Sequence, residues 1–189
     1  MAQRFLVWFL VPAVLCLSSL LAAAFESRSL DSVVSLLPLW PGHQRGGEAG
    51  TPPGSAPEAS AVAVLPGGYL ATALHTVDRA SDIMVRLRDG RRLQANFVAG
   101  DPATDLALLR VAEDIPLLET APPPPLGHRV CAIGNQFGLD LSVTCGVVSA
   151  VRRNGTGFNP VEDFIQTDAA INPGASGGAL VDGQGRWWA

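Results

Sequence analysis

The stretch Asp168-Ala169-Ala170-Ile171-Asn172-Pro173-Gly174-Ala175-Ser176-Gly177-Gly178 carries the most information in this chain. A serine bracketed by glycines suits a tight turn whose backbone N–H groups converge. Donors of that kind stabilise the oxyanion of acyl transfer by roughly 3–4 kcal/mol each. Taken alone, Gly174 to Gly178 reads equally well as a plain glycine-rich turn. The same five residues also match the G-x-S-x-G nucleophile elbow of α/β-hydrolases, a fold that places its acid and its histidine after the serine. No histidine follows Ser176, so the elbow is excluded.

A hydroxyl needs a base to become a nucleophile, and the base needs a group to orient it. Three histidines are available. His43 lies in a linker, and His128 follows a proline run between two lobes; both read as solvated bystanders. His75 ends the apolar strand Tyr69 to Leu74 and is the candidate base, against the alternative of a satisfied core histidine. Between His75 and Ser176, Asp105 directly precedes the apolar run Leu106 to Val111, where a carboxylate can fix an imidazole tautomer. Asp101 reads as a turn-former before Pro102, and Asp168 as a brace for the serine loop. The order His, Asp, Ser points to a double β-barrel of the chymotrypsin type.

The surrounding patterns agree with an all-β fold. Strands are expected at Ala59 to Leu65, Tyr69 to Leu74, Ile83 to Arg88, Arg91 to Val98 and Leu106 to Val111. After Pro122-Pro123-Pro124-Pro125 they continue at Arg129 to Ile133, Ser142 to Val151, Asp163 to Thr167 and Ala179 to Asp182. Pro66-Gly67-Gly68 and Asp89-Gly90 are turns. With 20 Gly and 15 Pro among 189 residues, a bundle of long helices is excluded. The 13 basic residues are all arginine and are outnumbered by 17 acidic ones. An acidic chain without a basic run argues against nucleic acid as a partner.

Residues 1–25 read as a signal peptide or a membrane anchor. An apolar run from Phe5 to Ala24 follows Arg4 and is long enough to cross a bilayer, while Ala22-Ala23-Ala24 suits cleavage. Either way the body is exported. Cys16 lacks the preceding small residue that lipid attachment needs. Residues 26–58 read as a juxtamembrane segment, with a short helix over 26–37, and a Pro/Gly-rich linker. The N-terminal barrel lobe is expected over 59–121 and the C-terminal lobe over 122–189. Cys131 and Cys145 fall on neighbouring strands in an oxidising compartment, where a disulfide and two buried thiols are both open readings. His128 with Cys131 lacks the further ligands of a metal site.

Together, Gly68 to Val77, Asp101 to Leu109, Ala132 to Gly138 and Ile165 to Gly178 resemble a trypsin-fold serine protease of the HtrA (Deg) family of bacterial envelopes. The resemblance runs from Ala61 to Arg186 in the family's order. It implies His75 as general base and acid, Asp105 as its orienter, Ser176 as nucleophile, and the N–H groups of Gly174 and Ser176 as the oxyanion hole. It implies peptide-bond hydrolysis through an acyl-enzyme, with no cofactor and no metal. Substrates would be unfolded or damaged envelope polypeptides, with a small aliphatic side chain before the cut. The family also suggests a homotrimer in the periplasm, held at the inner membrane by the N-terminal helix or secreted.

Three departures stand out. Ala175 replaces the usual Asn before the nucleophile. The Gly-Ser-Gly before the histidine strand is reduced to Ser60-Ala61-Val62-Ala63, so the first lobe is either incomplete or borrows residues 29–37. The chain stops at Arg186-Trp187-Trp188-Ala189, short of the family's pocket-wall strands and PDZ domain, which reads as a fragment with exposed tryptophans and open barrel edges. The rival function is a membrane-tethered, catalytically weak module that binds extended peptides.

Overall fold

The computed structural model describes residues 29–41 and 58–187. The leader, Cys16 and His43 lie outside these residues. Among the described residues no helix is long and apolar enough to cross a membrane.

Among the described residues eleven strands follow in chain order: β1 (Val33–Leu39), β2 (Ala59–Leu65), β3 (Tyr69–Ala73), β4 (Asp82–Arg86), β5 (Arg92–Gln94), β6 (Asn96–Asp101), β7 (Leu106–Arg110), β8 (Arg129–Gly134), β9 (Ser142–Arg153), β10 (Phe164–Thr167) and β11 (Ala179–Asp182). They form two sheets, ordered β5-β4-β1-β2-β3-β7-β6 and β10-β9-β8-β11. In the first, the end strands β5 and β6 are separated only by Ala95, which is buried and donates its N–H to the Ile83 carbonyl at 2.9 Å. The ends of the sheet are therefore two halves of one bent segment, and the sheet closes into a barrel. Closure explains why the expected single strand from Arg91 to Val98 is two strands here.

The helix expected over 26–37 is not what forms. One helical turn at 29–31 is followed by β1, whose Val33 to Leu36 pair with Val62 to Ala59 of β2 and whose Ser35 to Leu39 pair with Arg86 to Asp82 of β4. The first lobe thus borrows residues from before the Pro/Gly-rich segment. Pro38 fits because it lies past the last pair with β2, where a missing N–H is tolerated.

Two-residue alternation divides β2 between two cores. Ala59, Ala61 and Ala63 join Val34, Leu36, Leu70, Val85 and Leu109 inside the first barrel. Val62, opposite Val33, packs with Leu118, Cys131, Ile133, Ala179 and Val181 of the second lobe. Leu36, Leu70 and Leu109 are fully buried, and truncating any one to alanine would cost about 2–5 kcal/mol. Among the described residues the second sheet does not close on itself. Its β8 and β9 are joined by a Cys131–Cys145 disulfide between residues directly opposite in register. Trp187 is not exposed as expected: it bridges Val181 and Thr120 and packs against the second core, because the chain turns back after β11 through an Asp182–Arg186 ion pair at 2.8 Å.

Candidate active site

Strand β3 delivers His75 into a short 3-10 turn, Leu74–Thr76, closed by the Val77 N–H on the Leu74 carbonyl. The opposing turn carries Asp105. Asp101 shapes that turn by accepting the Ala103 N–H and the Thr104 hydroxyl, each at 2.9 Å, the turn-forming role expected of it. Asp105 itself has φ 58°, a left-handed conformation that aspartate adopts more readily than most residues. This aims its carbonyl at the Leu74 N–H (2.8 Å), Oδ1 at the His75 N–H (2.8 Å) and Oδ2 at His75 Nδ1 (2.6 Å). An ionised carboxylate only accepts, so the neutral ring carries its proton on Nδ1 and presents a lone pair at Nε2. The His75 side chain is 60% exposed and that of Asp105 27%.

Ser176 sits in a loop built from two successive turns. The Ala175 N–H returns to the Asn172 carbonyl (3.0 Å) around Pro173-Gly174, and the Gly178 N–H to the Ala175 carbonyl (2.8 Å) around Ser176-Gly177. Gly174 (φ +95°) and Gly177 (φ +80°) each take the third position, which needs positive φ. A side chain at Gly174 would also strike the Asn135 carbonyl, and one at Gly177 the Ser60 carbonyl and Thr72 hydroxyl. Thr72 is three residues before His75 on β3, so the serine loop lies against the strand that delivers the imidazole. Among the described residues, no hydrogen bond joins the Ser176 hydroxyl to the His75 ring.

Every carbonyl from Asn172 to Ser176 is engaged. Besides the two turn bonds, Pro173 accepts from the Phe137 N–H (2.6 Å), Gly174 from the Ser60 hydroxyl (2.8 Å) and Ser176 from the Ser60 N–H (2.9 Å). In a trans peptide the N–H points opposite to the C=O. The N–H groups of Gly174 and Ser176 thereby point away from the Phe137 and Gly178 donors that hold the Pro173 and Ala175 carbonyls, and among the described residues neither bonds a protein group. Both N–H groups are thus left without a protein acceptor on either side of Ala175.

Among the described residues Asp168 makes no side-chain hydrogen bond to the serine loop; its Oδ1 accepts the Val147 N–H of β9 at 2.7 Å and so anchors the segment leading out of β10. With alanine at 175, the loop is braced instead by residues the sequence did not single out. Asn172 Nδ2 donates to Gln136 Oε1 (2.7 Å), and Gln136 is buried. Asn135 Nδ2 donates to Glu58 (2.6 Å). His128 is exposed at the start of β8, where its carbonyl accepts the Val148 N–H.

Beside His75 and Asp105 opens a cleft of about 1010 Å³, lined among others by Pro102, Arg153, Phe158 and Phe164. Ser176 does not line it. Phe158 and Phe164 meet edge to face with centroids 6.4 Å apart. The far wall is a loop over 154–162 gathered around Glu162, whose carboxylate accepts the Thr156 hydroxyl (2.6 Å) and the N–H groups of Thr156 (2.8 Å) and Phe158 (2.9 Å). These bonds, the Thr156 hydroxyl foremost, lower the Glu162 pKa from 4.5 to about 2. The loop is tied to the Asp105 turn by the Val161 N–H on the Ala103 carbonyl (3.0 Å) and by Asn159 Nδ2 on the Thr104 carbonyl (3.3 Å).

Comparisons with known proteins agree with this architecture. Residues 59–189 match the model of the trypsin-like peptidase domain. The chain is 47% identical over 119 residues to the periplasmic serine endoprotease DegP of Salmonella typhimurium, covering 61% of this chain and 25% of that one. It is 46% identical over 126 residues to a probable periplasmic DegP-like endoprotease of Chlamydia pneumoniae, covering 64% and 26%. The solved structure of the HtrA-type protease AlgW with a tripeptide superposes with a TM-score of 0.78 at 40% identity, over 88% of this chain and 52% of that one. The match thus spans about a quarter of the length of the curated relatives. The two β-lobes and the matched model agree, the relatives named above are DegP and HtrA-type proteases, and the chain belongs to the trypsin-like peptidase family.

Proposed function

We propose that the chain is the catalytic portion of a serine endopeptidase acting by a His75–Asp105–Ser176 triad. The observation that carries this reading is the 2.6 Å contact between His75 Nδ1 and Asp105 Oδ2, which leaves Nε2 free to accept a proton. In the reaction, Nε2 takes the Ser176 hydroxyl proton as Oγ attacks the scissile carbonyl carbon. The oxyanion falls on the N–H groups of Gly174 and Ser176. The imidazolium then protonates the leaving amine, giving an acyl-enzyme; a water deprotonated by His75 attacks the ester, and the imidazolium so formed returns that proton to Ser176 Oγ as the C–O bond breaks.

Extended or unfolded polypeptides are the proposed substrates. The apolar cleft beside His75 supports this, as does the peptide bound to the AlgW relative. The periplasm is the proposed compartment, in line with the relatives named periplasmic. Residues 1–25 would direct export, whether cleaved or kept as an inner-membrane anchor, and a homotrimer is the proposed assembly.

A fluorophosphonate probe tests the triad. Labelling of the wild type that disappears in Ser176→Ala and falls sharply in His75→Ala is expected, together with a drop in turnover of roughly a millionfold. Proteolysis that survives either change would overturn the assignment. The missing hydrogen bond between Ser176 and the His75 ring favours a second reading, a catalytically weak peptide-binding module. A wild type that binds unfolded peptide but takes no label would establish that one.

A further inference from the structure

We propose that Ser60 is the positioning residue of the nucleophile loop, an inference that rests on the reading of Ser176 as nucleophile. Ser60 is fully buried on β2 and faces the second lobe because its neighbours Ala59 and Ala61 fill the first. Four hydrogen bonds converge on it. Its N–H donates to the Ser176 carbonyl at 2.9 Å. Its hydroxyl donates to the Gly174 carbonyl at 2.8 Å and accepts the Asn135 N–H at 2.8 Å. Its carbonyl accepts the Thr72 hydroxyl at 2.7 Å.

A hydroxyl has one proton to give. The Asn135 N–H occupies a lone pair, so the proton is committed to Gly174. That bond sets the plane of the peptide following Gly174, between the two amides that would receive the oxyanion. The backbone bond to Ser176 sets the peptide after the nucleophile. Both depend on one residue, which also grips the histidine strand through Thr72 and the end of β8 through Asn135. Ser60 thus references the serine loop to the imidazole's own barrel and compensates for the side-chain support that Ala175 cannot give. No contact with substrate is involved, so Ser60 acts through the geometry of the donors.

The test compares wild type, Ser60→Ala and Ser60→Thr in the full chain. Removing a donor of an oxyanion hole costs about 10²–10³ in kcat, and loss of its positioning is expected to cost less, about 10- to 100-fold. KM should stay within about twofold. The inhibition constant of a peptide boronate, which mimics the tetrahedral state, should rise by the same factor as kcat falls. Ser60→Thr keeps the hydroxyl and should recover most of the rate. Independently of activity, the Ala175 and Gly178 amides should exchange hydrogen faster in Ser60→Ala, while β8 and β9 amides keep their wild-type rates. Unchanged kcat or unchanged exchange in the loop overturns the proposal. If Ser60→Ala does not fold, Ser60→Cys, similar in size but a much weaker donor, is expected to show the same faster exchange, and its absence is equally decisive. A wild type that takes no fluorophosphonate label would sink the nucleophile reading while leaving the exchange comparison to judge Ser60.

Discussion

Asp105 engages His75 at two points with the two oxygens of one carboxylate, the ring at Nδ1 and the backbone at N–H. Replacing it by asparagine preserves the shape and can preserve the backbone bond through the amide oxygen. The amide nitrogen then faces Nδ1 as a donor, forcing the ring proton to Nε2, where a base must be empty. We expect Asp105→Asn to lower kcat by about 10⁴ with little change in thermal stability. Steady-state kinetics with a melting curve on the same preparation check this, and a loss of less than tenfold would refute it.

Gly177→Ala meets two penalties, a positive φ and a Cβ directed into the Ser60 carbonyl and the Thr72 hydroxyl. Gly90→Ala is the comparison, since Gly90 (φ +86°) has open space around it and pays only the conformational strain of roughly 1–2 kcal/mol. Turnover is expected to fall by more than about 100-fold for the first and to be retained in the second. Equal activities would show that the loop yields to the intruding methyl.

The Cys131–Cys145 link closes a loop with a sequence separation of 14. A constraint of that span stabilises a fold by about 3 kcal/mol, chiefly by restricting the unfolded chain. Reductant, or serine at both positions, should lower Tm by about 5–12 °C. A melting curve indifferent to reductant would mean that the link adds no stability.

Glu162 supplies a pH dependence with a defined sign. Its folded pKa, about 2, is below its ordinary 4.5, so the carboxylate form favours the ordered loop. That contribution is complete above about pH 4.5 and fades as the pH falls towards 2. Amide resonances of Thr156 and Phe158 should titrate with a midpoint near 2 and not near 4.5. Glu162→Gln should loosen the cleft wall and raise KM more than it lowers kcat.

Much of this molecule was legible in its sequence because the signals were local. Apolar alternation located β2, β3, β4 and β7 to β11 to within a few residues. The strand-end position of His75 and the position of Asp105 directly before the apolar run Leu106 to Val111 singled out the two residues that the structure brings together. Three features escaped because they depend on partners distant in sequence. β1 reads as a helix in the sequence: Val33 to Leu39 holds a proline and is apolar on both faces, a pattern that makes sense only once it lies between β2 and β4 with a lobe on either side. Ser60 looked like the remnant of a shortened motif, although a lone hydroxyl among Ala59, Ala61, Val62 and Ala63 was a signal of a buried polar contact. Gln136 gave no signal because its partner Asn172 is 36 residues away. Glu162 escaped for a different reason: its partners are local, but a carboxylate gathering loop amides is recognisable only after the loop has folded around it.

The seam at Ala95 has a consequence for how the molecule comes apart. A ring of strands has no margin from which to peel, so the first barrel must rupture as a whole, whereas the second sheet, which shows no such closure among the described residues, can fray outward from β10. The imidazole and its carboxylate ride on the ring and the nucleophile on the fraying half. Mild denaturant should therefore silence the chemistry well before the intrinsic signature of the barrel is lost, leaving an intact but idle half-enzyme as the first product of unfolding.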